Sequence, residues 1–592
     1  MNESYYELLN QALELHSKGD LVNAKNSYRK ILEINPSEAI ALAWLGAIEG
    51  INKNYPEAKR LLELSIKLDP NNADYWANLS TILYENKLFI DSLEIINKAI
   101  LLDGANVRYL KNRAVINVEM ENYSGALVDI EKIKKIQPVL DSNTFLILGN
   151  IQKGLNKLEE ALKSYKKSIE LDKFNYEAFY NLANLFSETG NKEKAIDHYK
   201  VAININNNYS EAYTGLASTY LDLDDLDKAL LNCKNAIDTN KINIDALNLY
   251  GLIEIKNANF NNALNYFDKI LSIEPENAKA NYNKSLVMLR LNNFNLGLKL
   301  FEYRWQIKEF NKNTNVFNKP LWLGLESLKN KKVIIHAEQG LGDSIQFSRY
   351  IEDVSKLGAY IIFQAPFPLL SLFKGIKGIN KLTSSKDLNE IYDYHCPLMS
   401  LPLALGGIGT HNSYLTVDAS LKDKWHNHIG EQGFKIAICW QGNNKSEIDI
   451  GRSFSVELFK TISKINNIRL ISLQKNRLER DTSNLNDLHI EELPSDFDTV
   501  NGAFMDSAAI MKNVDLVITC DTALTHLAGA LGVRTFLLLQ HVPDWRWGIN
   551  TGDCVWYPNH QLFRQKTRGD WISVFEDIKK IILSPGHGIS PN

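Results

Sequence analysis

Small side chains recur through the first half of this chain at an almost invariant interval. Ala12, Gly46, Ser80, Ala114, Gly149, Ala183, Ala217, Gly251 and Ser285 are 34 residues apart at every step but one, which is 35. A second series follows in phase twelve positions later: Ala24, Ala58, Ser92, Ala126, Ala161, Ala195, Ala229, Ala263 and Gly297. Leu45, Leu79, Leu148, Leu182 and Leu216 precede the first series by one residue, and Pro36, Pro70, Pro138 and Pro275 close units where proline stops a helix. Such a period predicts pairs of antiparallel helices that approach closely at the small residues. Each pair buries a core only against its neighbours, so the array predicts an α-helical solenoid with a concave groove over residues 1–306.

This pattern resembles the tetratricopeptide repeat (TPR), and the resemblance implies a module that docks other chains. Asn10, Asn78, Asn112, Asn181 and Asn283 stand two positions before the first small residue in five of nine repeats. Since 43 of the first 300 residues are Asn, chance alone places about one at nine such positions. An amide offers two donors and an acceptor, so a row of them can hold an extended peptide backbone as a ladder. Polar filler in an Asn-rich chain is the competing reading.

Composition excludes several classes. The balance of 66 Lys and Arg against 70 Asp and Glu gives a net charge of −4, which argues against a generally basic nucleic-acid surface, although a local patch stays open. No apolar run is long enough to span a bilayer, and the first ten residues lack the basic and apolar parts of a secretory signal. Five scattered cysteines form no CxxC pair; they argue against zinc and disulfides and for a reduced, cytoplasmic interior.

The period ends after Gly297, and a polar stretch over 307–330 predicts a linker. From Lys331 the apolar runs VIIHA, AYIIFQA, KIAICW, IRLISLQ, DLVITC and VRTFLLL alternate with helix-like segments. This alternation predicts parallel sheets covered on both faces, divided into Rossmann-like domains over 331–428 and 429–592, with a closing helix at WISVFEDIKKIIL. Ligands of such sheets bind beyond the carboxyl ends of the strands.

Three of those loops carry chemistry. In HAEQGLGDSIQFSR, Gly340 and Gly342 allow close backbone approach, while Asp343 is either a helix N-cap or a general base aimed into a cleft. In CWQGNNKSEIDIGRSFS, Gly442, Lys445 and Arg452 supply flexibility and two cations where a pyrophosphate would need them, or else are solvated loop residues. In DLVITCDTALTHLAGALGV, Asp521 and Thr522 end a strand, and the start of the following helix can bind phosphate, with His526 on its first turn.

The run from Asp521 to Gly532 resembles the D-T/S-x-x-x-H-x-A-x-A-L-G motif of the ADP-heptose:lipopolysaccharide heptosyltransferases, and Gly340 to Asp343 resembles their L-G-D loop. AEQGLGDSIQFSRY, HCPLMSLPLALG, PDWRW, WYP and LFRQ look like bacterial proteins that fuse TPRs to such an enzyme. The organisation is also similar to protein O-GlcNAc transferases and to TPR flagellin glycosyltransferases. The resemblance implies a GT-B fold of two Rossmann-like domains, a nucleotide-sugar donor, inversion at the anomeric carbon, and no cofactor or obligatory metal.

Carried onto this chain, the resemblance makes Asp343 the acceptor-activating base. It makes Asp521, Thr522 and His526 donor-pocket residues, and it puts Gln474 at the base or ribose. Arg452 or Lys445 stands in for the phosphate-directed lysine of heptosyltransferases, whose lysine-aromatic pattern is absent, so heptose is not implied as the sugar. The expected function is transfer of a sugar to a Ser or Thr hydroxyl of a protein or peptide held in the TPR groove. The alternatives are glycan or lipopolysaccharide assembly with the repeats docking partner enzymes, and an inactive TPR scaffold. Deleting residues 1–300 is expected to abolish protein glycosylation while sparing transfer to a small acceptor.

DFD at 496–498, DLDD at 222–225 and His426-x-His428 resemble metal motifs only by composition. Trp545, Arg546 and Trp547 are expected in interdomain packing, with stacking on a ligand ring as the alternative.

Overall fold

The structure, a computed structural model, describes residues 3–311, 317–385, 390–409, 411–442, 449, 451–475, 485–549 and 552–584. The chain forms two compact units, 1–246 and 247–592.

The first unit is a solenoid of helix pairs. First helices begin at Ala39, Ala73, Val107, Ser142, Tyr176 and Ser210, so the one longer step of the sequence period is also the one longer step of the structure. The extra residue lies in the turn between helices Tyr123–Ile136 and Ser142–Gly154, where Asp141 accepts from the Thr144 amide (2.9 Å). Second helices are strongly amphipathic: Tyr55–Leu68 buries Ala58, Leu61, Leu62, Ser65 and Ile66 along one stripe. Asn or Asp side chains cap several of them, as Asn122, Asn191 and Asp225 do for the amides three residues on.

The small residues are where the helices meet. A Cβ on Gly149 would lie 2.4 Å from the Tyr165 ring. In the third repeat, Ser80 and Ser92 occupy the two small positions and replace close apolar packing by hydrogen bonds. Each hydroxyl donates to the other's carbonyl, at 2.9 and 2.8 Å.

The second unit begins inside a repeat. Helices Phe260–Ile273, Ala278–Arg290 and Phe294–Phe301 continue the pattern, but Leu289, Leu298 and Phe301 share a hydrophobic core with Trp322, Val333 and Phe347. The repeat helices thus run on to Phe301, while the division into compact units falls earlier, after Ala246, with the last repeat residues burying apolar faces on the α/β part. The expected 307–330 linker is in part structural: Trp322 is buried, donates its amide to His395 O (2.9 Å), and follows a bridge from Leu321 to His395.

Two parallel sheets follow. The first has β1 (Lys332–His336), β2 (Tyr360–Gln364), β3 (Lys381–Thr383) and β4 (Tyr394–Pro397), in the order β3-β2-β1-β4. The second has β5 (Phe434–Cys439), β6 (Ile468–Ser472), β7 (Ile490–Glu491), β8 (Leu516–Cys520), β9 (Thr535–Leu539) and β10 (His560–Arg564). Its order is β10-β9-β8-β5-β6-β7, the doubly wound arrangement whose strand order reverses between β5 and β8. Both faces of the second sheet are covered. Ala437, Cys439 and Val517 pack with Ala508, Leu527 and Ala528, and Ile436, Ile438 and Ile518 pack with Phe459, Phe575 and Ile578. The six apolar runs read from the sequence lie on β1, β2, β5, β6, β8 and β9.

Candidate functional site

Within the second unit, a cleft of about 810 Å³ opens at the carboxyl ends of β5 and β8. Gly340, Gly342, Asp343, Gly442, Arg452, Gln474, Asp521, Thr522 and His526 all line it. Lys445 lies outside the described residues.

Two short helices bring the halves together. Asp343 stands at the third position of helix Leu341–Phe347, not at its N-cap; its Oδ2 accepts from the Gly340 amide (2.8 Å). This helix crosses the start of helix Ala523–Ala530, and Gly342 permits the approach. A Cβ there would lie 3.0 Å from His526 Cδ2 and 3.4 Å from Ala523 Cα.

The loop after β5 is held by its own polar groups. Gly442 donates its amide to Ser453 Oγ (3.0 Å), which donates to Asp449 (2.7 Å), and a Cβ on Gly442 would meet Asp449 Oδ1 at 2.5 Å. Gln474 has a structural duty that the sequence does not reveal. Its Oε1 accepts from the Trp440 and Gln441 amides (3.3 and 3.0 Å), which ties the ends of β5 and β6 together.

Asp521 is buried, and its Oδ2 lies 3.8 Å from Arg452 Nη1 without a hydrogen-bond partner among the described residues. Arg452 Nε and Thr522 Oγ1 are likewise buried and unbonded. Burial pushes the Asp521 carboxyl up to about 6, and the nearby charge of Asp544 adds to the shift. His526 stacks on Trp547 (centroids 5.4 Å apart, planes at 19°) and shares a hydrogen bond between Nδ1 and Tyr557 Oη (3.0 Å). Burial, then the Arg546 charge, hold His526 neutral, so it supplies no cation to a phosphate. Buried polar atoms without a hydrogen-bond partner among the described residues, at the mouth of a switch point, are what a polar ligand would satisfy.

Arg546 is the residue that sequence reasoning assigned to packing. It pairs with Asp343, donates Nη1 to Asp544 Oδ1 (2.8 Å) and Nε to Gln346 Oε1 (2.7 Å), and lies over the Trp545 ring. It does bridge the two halves, but it also lines the cleft. Phe504, which the sequence reading did not single out, also lines the cleft, with a left-handed backbone (φ 65°) that a bulky side chain rarely adopts.

The remaining sequence candidates separate. Asn10 is exposed and Asn78, Asn112 and Asn181 are half-buried in the first unit. Asn283 belongs to the second unit, where its amide donates to Asn248 Oδ1 (2.8 Å). Asp498 spends its carboxylate on Asp506 N, Ser507 N and Ser507 Oγ (2.8, 3.0 and 2.5 Å). Asp225 caps a helix and His426 sits near Glu431. Among the described residues, no group of three His, Cys, Asp or Glu is arranged to hold a metal ion, and no helix is long and apolar enough to cross a membrane. Of the five cysteines, four are buried and Cys554 is half-buried; all are free thiols.

Comparison with known proteins bears on the solenoid. TPR family descriptions match residues 149–190 and, separately, 8–38, 176–209, 210–243 and 244–277, the last three starting where first helices start. The N-terminal part carries tetratricopeptide repeats. Protein FlbA of Caulobacter vibrioides is 24% identical over 276 residues, which cover 42% of this chain and 46% of FlbA. The chain thus matches less than half the length of that relative. Among solved structures, a TPR protein from Parabacteroides merdae is 18% identical with a TM-score of 0.38, covering 43% of this chain and 99% of its own. The Cut9–Hcn1 assembly is 14% identical with a TM-score of 0.38, covering 48% and 55%. TPR solenoids bind protein or peptide partners, and that is the role the repeats support here.

Proposed function

We propose that this TPR protein is an inverting, metal-independent glycosyltransferase. It would move a sugar from a nucleotide-activated donor to a Ser or Thr hydroxyl of a protein recruited by the repeats. One observation carries the reading. Residues chosen from separate strand-end loops on chemical grounds converge on a single cleft, at the strand-order reversal of a doubly wound sheet.

In this reading the acceptor oxygen attacks the anomeric carbon, its proton passes to Asp343, and the bond to the nucleotide diphosphate breaks. Negative charge then grows on the departing phosphate. Arg452, Thr522 Oγ1 and the amides that open helix Ala523–Ala530, which line the cleft, would offset it. The test is calorimetric titration of the full chain with nucleoside diphosphates and nucleotide sugars, without divalent metal. Saturable binding that falls at least about tenfold in Arg452→Ala supports the reading, and no binding across the panel rejects it.

A second reading, a scaffold that binds a ligand without turning it over, is favoured by the commitment of both Asp343 oxygens to Gly340 and Arg546. Release of free sugar or glycosylated protein from a bound donor separates the two.

A further inference from the structure

Arg546 is the best-anchored cation in the cleft. Its Nε and Nη1 are fixed by Gln346 and Asp544, and its plane lies over Trp545 with the guanidinium carbon 4.5 Å from the ring centroid. The loop that carries it is clamped from behind by two arginines that bind backbone carbonyls. Arg290 Nε and Nη2 donate to Pro543 O (3.2 and 3.0 Å), and Arg564 Nη2 donates to Trp547 O and Gly548 O (both 3.0 Å). The guanidinium is thus oriented without help from Asp343, and its Nη2 end meets Asp343 at the cleft.

The charges in the cleft make this end contested. Asp343, Asp498, Asp521 and Asp544 line the cleft with Arg452, Lys475 and Arg546, four carboxylates against three cations. Asp498 is held by the Asp506 and Ser507 amides and the Ser507 hydroxyl, Lys475 donates to Asp498 O, and Asp544 is already bound by Arg546. A diphosphate that enters beside Asp343 meets a cation that this carboxylate now holds.

We propose that Arg546 is a shared cation. It pairs with Asp343 until the phosphate oxygens of the ligand take its Nη2 edge, and that exchange leaves Asp343 free to accept the proton of the sugar acceptor. Arg546 is then a binding residue for the anion and a positioning residue for Asp343, and its anchoring by Gln346 and Asp544 keeps it in place while partners change. The inference rests on the anion-binding cleft of the proposed function. It adds that base and ligand compete for one group.

The experiment is a double-mutant cycle on the full chain, read as pyrophosphate and nucleoside diphosphate affinity by calorimetry. Competition predicts that Asp343→Asn tightens pyrophosphate binding by about fivefold or more, that Arg546→Gln weakens it by at least about tenfold, and that Asp343→Asn gives no tightening in the Arg546→Gln background. Tightening that persists there reflects through-space charge alone and overturns the inference, as does no tightening in the single variant. If Arg546→Gln fails to fold, Arg546→Lys replaces it. A lysine cannot hold Gln346, Asp544 and a phosphate together, so the Asp343→Asn effect should shrink at least by half, and an undiminished effect overturns the proposal. No binding of either ligand by the unmodified chain rejects the anion cleft itself. Binding indifferent to Arg546 rejects only the sharing.

Discussion

Arg290, the last residue of helix Ala278–Arg290, donates two hydrogen bonds to the carbonyl of Pro543, at 3.2 and 3.0 Å. The guanidinium is buried and binds a neutral oxygen, and desolvation holds its pKa below the usual arginine value. A buried charge on such a partner serves geometry more than stability. Here it joins the final repeat to the loop that presents Asp544 and Arg546 to the cleft.

The last repeat is therefore expected to behave as part of the α/β unit. A chain beginning at residue 247 should fold cooperatively. One beginning at 301 loses Leu289 and Leu298 from the shared core and should bind a hydrophobic dye or aggregate. In the full chain, Arg290→Met should cost about 2 kcal/mol, read as a lower urea midpoint for the second unit. This revises the sequence expectation that residues 1–300 can be removed without harm to small-acceptor chemistry.

Asp521 gives a pH dependence of known sign. Its folded pKa, pushed up to about 6, lies above the ordinary carboxyl value of 3.8, so the folded state holds a proton that the unfolded state has released. The corresponding stability is complete below pH 3.8 and is lost as pH rises through about 6. Asp521→Asn should remove that loss and stabilise the ligand-free protein at neutral pH by about 2–3 kcal/mol, measured by urea unfolding at pH 4.5 and 7.5. The same substitution should weaken ligand binding, which marks a side chain kept for function.

Ser80 and Ser92 should couple energetically. Each single change to Ala removes one interhelical hydrogen bond and the Oγ–Oγ contact, at about 1 kcal/mol each, while the remaining hydroxyl keeps its bond to the partner's carbonyl in a now looser contact. The double variant restores the apolar contact used by the neighbouring repeats. Thermal unfolding should show it costing less than the sum of the singles.

Glu338 tests the tie between the repeat end and β1. Arg304 donates Nε and Nη2 to the two Glu338 oxygens (2.9 and 2.8 Å) and Nη1 to Glu302 (2.8 Å), all within a buried cluster. Glu338→Ala leaves the buried Arg304 guanidinium with Glu302 as its remaining carboxylate partner and should cost about 3 kcal/mol. Glu338→Gln, which keeps one acceptor, should cost less, and comparison of urea midpoints checks the order.

Much of this arrangement was legible in one dimension. A 34-residue period survives because each helix pair meets the same neighbour geometry, so the number and phase of repeats follow from small residues alone. Strands β8 and β9 are buried along their whole length and read as continuous apolar runs, whereas β3, β4, β7 and β10 are short or partly polar and gave no such signal. Asp343, Arg452, Asp521 and His526 could be selected because strand ends and glycine turns mark where a doubly wound sheet binds ligands.

The sequence by itself determined the repeat register, the strand-helix alternation and the residue types at the strand ends, all of which depend on contacts between nearby positions. Only the tertiary structure decided that Arg546, 203 residues from Asp343, meets it in the cleft, and that the last repeat belongs with the sheets. The physical reason is the same for both. Ion pairs and shared cores between segments distant in sequence leave no periodic trace, because their partners are chosen by folding geometry and not by spacing along the chain.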